Sequence, residues 1–163
     1  MKKILLVSMT LMALMLMACG SNKSAVDPVQ AQAVQALLEM RQFVVMVGSM
    51  RPLSAPTVSV SQGQKIIVRD GTVSCYLPYV GSGWNVGYSS GYKALNFSCP
   101  ITDYKVEYPK DDRALVTFKV DNGDDHYRFH IEVFMNVKTT IDVDPRGRDA
   151  ISYSGMIHGL DVL

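Results

Sequence analysis

The sequence predicts an all-β fold: an antiparallel meander of about nine or ten strands curled into a barrel-like or sandwich fold, with one N-terminal amphipathic helix. Three observations predict it. Apolar and polar residues alternate with a period of two through the second half of the chain. Tyr127, Phe129, Ile131 and Val133 share one face there, and His126, Arg128, His130 and Glu132 share the other. Ala114, Val116, Phe118 and Val120 repeat the pattern, as do Ile151, Tyr153 and Ile157. Turn clusters separate these runs at Pro109 to Asp112, Asp121 to Asp125 and Asp144 to Asp149. Helical spacing occurs once beyond the N-terminal leader. One dry face and one wet face per strand describe an antiparallel sheet that closes or packs on itself.

The elements follow in order. Asp27-Pro28 reads as an N-cap followed by proline at the first helical position, and the helix runs over roughly residues 28–41. Gln32, Gln35, Glu39 and Gln42 lie on one side of it, with Val34, Leu37, Leu38 and Met40 on another, so it should cover an apolar surface. Phe43 to Met50 is apolar on both faces and predicts a central strand, after which Pro52 and Pro56 break the pattern. Val58 and Val60 mark a short strand. Lys65 to Arg69 and Thr72 to Tyr79 form a hairpin about Asp70-Gly71, a strong two-residue turn. Further strands are predicted over Ala94 to Ser98, Asp103 to Tyr108, Arg113 to Val120, His126 to Phe134, Val137 to Val143 and Ala150 to Ile157. Residues 28–163 thus read as a single β-rich domain.

The first eighteen residues have a different character. Lys2 and Lys3 precede an apolar run from Ile4 to Met17, broken only by Ser8 and Thr10. About 14 residues is short of the ~20 that span a bilayer, and fits the apolar region of a secretory signal peptide. Leu16-Met17-Ala18-Cys19 resembles a bacterial lipobox, which implies cleavage after residue 18 and acylation of Cys19. Residues 19–27 would then be a lipidated cysteine and a polar tether, holding the domain close to the membrane. Gly20-Ser21-Asn22-Lys23 carries none of the acidic residues of surface-export signals, so the expected location is the outer membrane, facing the periplasm. Of the 16 basic residues, Lys2 and Lys3 lie in the leader, leaving 14 against 15 acidic ones. So balanced a body lacks the basic stripe that nucleic-acid binding requires.

Two stretches carry a family resemblance. Val73-Ser74-Cys75-Tyr76-Leu77-Pro78-Tyr79-Val80-Gly81 and Arg148-Asp149-Ala150-Ile151-Ser152-Tyr153-Ser154-Gly155, together with the lipobox and the helix leading into Arg41-Gln42-Phe43-Val44, resemble a family of small Bacteroidetes envelope proteins catalogued as a domain of unknown function. The resemblance covers roughly residues 40–158, and it implies a fold and a location without an activity.

Chemistry must therefore be sought residue by residue. Cys75 and Cys99 alternate with apolar neighbours and point to the dry faces of their strands. In an oxidising compartment a disulfide between them is one expectation, and two separate buried thiols the other. His126 and His130 share a strand face behind Asp124 and Asp125, which raises a metal-assisted hydrolase as a rival reading, but Arg128 places a cation between the imidazoles. Asp121-Asn122-Gly123-Asp124-Asp125 lacks the ligand spacing of a calcium loop and reads as a hairpin turn. Gly81-Ser82-Gly83-Trp84-Asn85-Val86-Gly87 approaches a dinucleotide fingerprint, yet no βαβ unit surrounds it. No base–nucleophile constellation stands out, and no cofactor is implied. The most unusual stretch is Gly81 to Tyr92, which joins four glycines to Trp84, Tyr88 and Tyr92. Its aromatic rings suit stacking on an envelope protein, a glycan or a small ligand, or else fold back as a plug on the barrel mouth. The expected role is non-enzymatic binding or envelope assembly.

Overall fold

Asp27 and Pro28 start the helix as the spacing predicts. The structure, a computed structural model, describes residues 27–81 and 94–163. Helix α1 spans Pro28–Met40, and Asp27 Oδ1 accepts from the Val29 N–H at 2.9 Å. It ends at Arg41, whose φ of 55° reverses the chain into the first strand. Only Val34 and Leu38, four residues apart, are fully buried. Met40, expected on the apolar face, is 59% exposed, because two residues on from Leu38 it stands about 200° around the helix from that buried side chain.

Nine strands follow: β1 (Phe43–Pro52), β2 (Val58–Ser59), β3 (Lys65–Arg69), β4 (Thr72–Leu77), β5 (Leu95–Lys110), β6 (Arg113–Asp121), β7 (His126–Phe134), β8 (Lys138–Pro145) and β9 (Ile151–His158). From β3 onward each strand pairs antiparallel with the next, and β9 returns to β1. Eight strands therefore close into a barrel, and β2 is a short extra strand beside the distal half of β1. Closure settles the choice between barrel and sandwich. At the Asp70-Gly71 hairpin both residues have positive φ, 51° and 73°, as a two-residue turn matched to strand twist requires.

The segments expected as separate strands over Ala94 to Ser98 and Asp103 to Tyr108 are one continuous strand, β5. Leu95 to Pro100 pair with β4, and from Ile101 the strand pairs with β6. Residues 99–102, which hold Pro100, read as a gap between two strands, the second starting at Asp103. Here they mark a change of partner and a bulge, with Asp103 at φ 55° and a register shift between Thr102 and Lys105.

The interior is filled with side chains. Phe118 stacks on Phe129 at 4.8 Å between centroids, Phe97 on Tyr127 at 5.0 Å and Tyr104 on Phe118 at 6.2 Å. Ile131, Ile141, Val143, Ile66, Val68 and Tyr153 complete a continuous core. Helix α1 closes the end where β1 begins. Tyr104 Oη donates to Leu38 O at 2.9 Å, Tyr108 Oη donates to Glu39 at 2.8 Å, and the Arg41 guanidinium lies 4.6 Å from the Tyr104 ring centroid. Burial of Leu38 should hold this cap in place. Leu38→Ala should cost about 2–5 kcal/mol in urea unfolding, and Met40→Ala should stay within about 0.5 kcal/mol of wild type.

Candidate functional site

The opposite end of the barrel gathers the β6–β7 turn, the β8–β9 turn and the exit of β4. Leu77 opposite Leu95 is the last β4–β5 pair, so the chain leaves this end after Gly81 and returns to it at Ala94. Trp84, Tyr88 and Tyr92 lie between those points, outside the described residues. Cys19 lies outside them as well.

What the structure does describe at this end is a polar network within the apolar rim. The Asp125 carboxylate accepts from the backbone N–H groups of His126 at 2.8 Å and Gly147 at 3.1 Å, and from Arg148 Nε at 3.3 Å. Arg148 Nη2 donates to Tyr127 Oη at 2.6 Å, and its guanidinium lies 5.4 Å from the Tyr79 ring centroid. The Arg148 and Asp125 side chains are only 13% and 7% exposed. Tyr79 Oη donates to Asp149 O at 2.8 Å, and Tyr153 Oη donates to Pro78 O at 2.7 Å. Burial, reinforced by the Asp149 carboxylate and opposed by Arg148, pushes the Tyr79 hydroxyl up to about 12. Tyr127 is raised for the same first cause, again against Arg148. Both phenols stay protonated, Tyr79 donating to Asp149 O and Tyr127 Oη accepting from Arg148, and the Asp125 carboxylate is committed to three donors. The geometry is that of a clamp on three chain crossings.

Gly81 belongs to the clamp. A Cβ there would stand 2.5 Å from Tyr79 Oη and 3.2 Å from Asp149 Cβ, so only glycine lets the chain cross the Tyr79–Asp149 bond. The two segments that carry the family resemblance are thereby tied together, through Tyr79 to Asp149 and Tyr153 to Pro78. The sequence places Asp125 beside a candidate metal cluster, Tyr127 on the core face and Arg148 in a family-like segment, but nothing local joins the three. Asp125 sits in a stretch that reads as a plain turn, and its partner is 23 residues away.

The other predicted residues fall elsewhere. Cys75 and Cys99 lie on the paired strands β4 and β5, but register sets Cys75 opposite Phe97 and Cys99 opposite Val73. A diagonal pair of this kind stands roughly 7–8 Å apart, beyond ordinary disulfide reach. Both thiols are free in this structure, Cys75 buried and Cys99 partly so. Burial first, and then neighbouring Cys99, raise the Cys75 thiol.

His126 and His130 share the outer face of β7, as the alternation predicts. An extended strand separates residues four apart by about 13 Å, too far to ligate one ion. His126 Nδ1 instead meets Asp121 Oδ2 at 3.1 Å, and His130 stands opposite Asp142. Among the described residues no group of three potential ligands gathers. Asn122 Oδ1 caps the backbone N–H groups of Asp124 and Asp125 at 3.0 and 2.9 Å, and Gly123 has φ 85°, which makes 121–125 a side-chain-stabilised turn.

Fold and rim define a class: a small, closed antiparallel barrel with a solid interior, capped by a helix at one end and clamped at the other. Residues 26–157 match the family model described as Domain of unknown function (DUF4251), and the chain belongs to that family. A crystal structure of a DUF4251 family protein from Bacteroides eggerthii DSM 20697 is similar, with 16% sequence identity, a TM-score of 0.68 and coverage of 85% of this chain and 93% of that one. At that identity the likeness concerns the fold. No curated protein matches this chain.

The clamp makes a sharp energetic prediction. Arg148→Met leaves the Asp125 carboxylate buried without its cation and should cost about 3–5 kcal/mol in urea unfolding. Adding Asp125→Asn should recover part of that loss, because no buried charge then remains. Additive losses in the double variant would show that the pair does not act as a unit.

Proposed function

We propose that the protein is a lipid-anchored cell-envelope module that binds a partner or ligand without catalysing a reaction. In this reading Cys19 carries the lipid, residues 20–26 are the tether, and the domain stands on the periplasmic side of the outer membrane. The binding surface is the 81–92 segment with Trp84, Tyr88 and Tyr92.

The observation that supports this is the clamped rim. Both ends of the aromatic segment join a frame held by the Asp125–Arg148 pair and the two tyrosine hydroxyl bonds. Binding residues concentrate on loops that a rigid scaffold positions, and a glycine wedged under Tyr79 at the first residue of the segment sets how the chain departs. The packed interior also directs a ligand to the surface rather than to the barrel lumen.

Trp84 is the only tryptophan of the chain, so its emission reports this segment alone. The proposal expects red-shifted emission that iodide quenches readily, and a Trp84→Ala variant with nearly unchanged melting temperature. Blue, protected emission together with a loss of about 3–5 kcal/mol on truncation would make the segment a plug and overturn its role as a binding surface. Anchoring is read separately. Cys19→Ser should move the protein out of the membrane fraction and abolish fatty-acid labelling.

A further inference from the structure

A second feature stands on the outer wall of the barrel, apart from the clamped rim and independent of the reading above. An open groove of about 950 Å³ runs over the outward faces of β8, β9 and β1. Register assembles its floor. Met46 of β1 lies opposite Met156 of β9, and Met156 lies opposite Lys138 of β8, so the three side chains form one row across three strands. Phe134 borders the groove on the β7 side. On the other side the 62–64 turn rises as a wall, held by Val47 N–H to Gln64 O at 2.9 Å and Val60 N–H to Gly48 O at 3.0 Å. Gly48 leaves the floor open, since a Cβ there would meet nothing within 4 Å.

The lining combines the apolar side chains of Met46 and Met156 with the Lys138 ammonium next in the row. Met156 is 49% exposed and lies beside Met46, so the two side chains form one apolar strip across β9 and β1. Lys138 and His158 flank Met156 on β8 and β9, and among the described residues no aspartate or glutamate lines the groove. Among the described residues neither the Lys138 ammonium nor the His158 imidazole has a hydrogen-bond or ion-pair partner. The volume lies within the roughly 300–1,000 Å³ of small-ligand sites, and methionine side chains repack readily around flexible apolar ligands.

We propose that this groove binds a free fatty acid, with the acyl chain along Met46 and Met156 toward the 62–64 wall and the carboxylate at Lys138 and His158. The head group follows from charge complementarity. Two unpaired donors suit a single carboxylate; among the described residues no arginine lines the groove, and Arg113, which lies over the Phe134 ring, is paired with Asp112 and Glu132. The fold argues against a peptide strand. Strand addition requires an exposed sheet edge, whereas β8, β9 and β1 are each hydrogen-bonded on both sides, leaving only side-chain surface.

The test is calorimetric titration of the full chain with laurate, dodecyltrimethylammonium and dodecyl phosphate, with Trp84 emission and melting temperature followed in parallel. Laurate should bind one-to-one, at least about tenfold more tightly than the cationic analogue of equal chain length. Lys138→Glu should weaken laurate by about tenfold or more and narrow that preference. Gly48→Leu, whose Cβ would meet nothing within 4 Å, projects its side chain into the groove and should abolish binding at a melting temperature close to wild type. Equal affinity for the two head groups would reduce the groove to an apolar patch and overturn the proposal. Tighter binding of dodecyl phosphate would overturn the carboxylate assignment. Laurate binding unaffected by Lys138→Glu and Gly48→Leu would place the ligand elsewhere, and if it then changed only Trp84 emission, at the loop-bearing rim. A concentration-dependent dimer that Gly48→Leu abolishes, without laurate binding, would assign the groove to a second copy of the chain.

Discussion

The pairing of β1 with β9 is the constraint on which the rest of this structure depends. It turns a nine-strand meander into a closed barrel, and it is achieved at a tight crossing. A Cβ at Gly155 would stand 2.1 Å from Met46 O, so this ladder closes only where one strand lacks a side chain. Between Val47 and Ser49 the register shifts by one residue, leaving Gly48 as the bulge. The bulge also lets the distal half of β1 accept β2 on the side where its first half accepts β3. Closure removes the exposed edges that would otherwise invite pairing with other chains. It also confines Phe118, Phe129, Tyr127 and Tyr153 to a space they fill.

A filled barrel can present chemistry only at its ends or on its outer wall, and this chain treats the three surfaces differently. One end is sealed by Val34 and Leu38 and tied down by Tyr104 and Tyr108. The other is fastened by polar groups, because three chain crossings there bring backbone amides and carbonyls into an apolar rim that must satisfy them. Asp125, Arg148 and Tyr79 meet that requirement, and no buried side-chain nitrogen or oxygen among the described residues lacks a partner. On the outer wall Met46 and Met156 form one apolar strip across β9 and β1.

Local pattern made much of this legible. His126 to Phe134 and Lys65 to Arg69 are strands with the expected limits, and the Asp27-Pro28 cap starts the helix where the sequence places it. The period-two alternation read in β6, β7 and β9 is the alternation between core and solvent. Legibility failed where a residue's role depends on a distant partner. Residues 99–102 around Pro100 read as a gap, and only the switch from β4 to β6 shows why one strand runs through them. Cys75 and Cys99 share a face as expected, yet register rather than face decides whether they can bond. The Asp125–Arg148 pair and the Met46–Met156 row each require strands that no local window joins. The family resemblance reached further than the pattern, since its two most specific segments include Tyr79, Arg148 and Gly155, and the structure binds those segments to each other.

Closure can be measured directly by hydrogen–deuterium exchange of the full chain. If β1 and β9 seal the barrel, their amides should be protected to the same free energy as those of β6 and β7, and Gly155→Ala should lower protection in β1 and β9 together. Rapid exchange of β9 at the rate of an edge strand, with β6 and β7 still protected, would contradict a closed barrel and the division of its surface that follows from it.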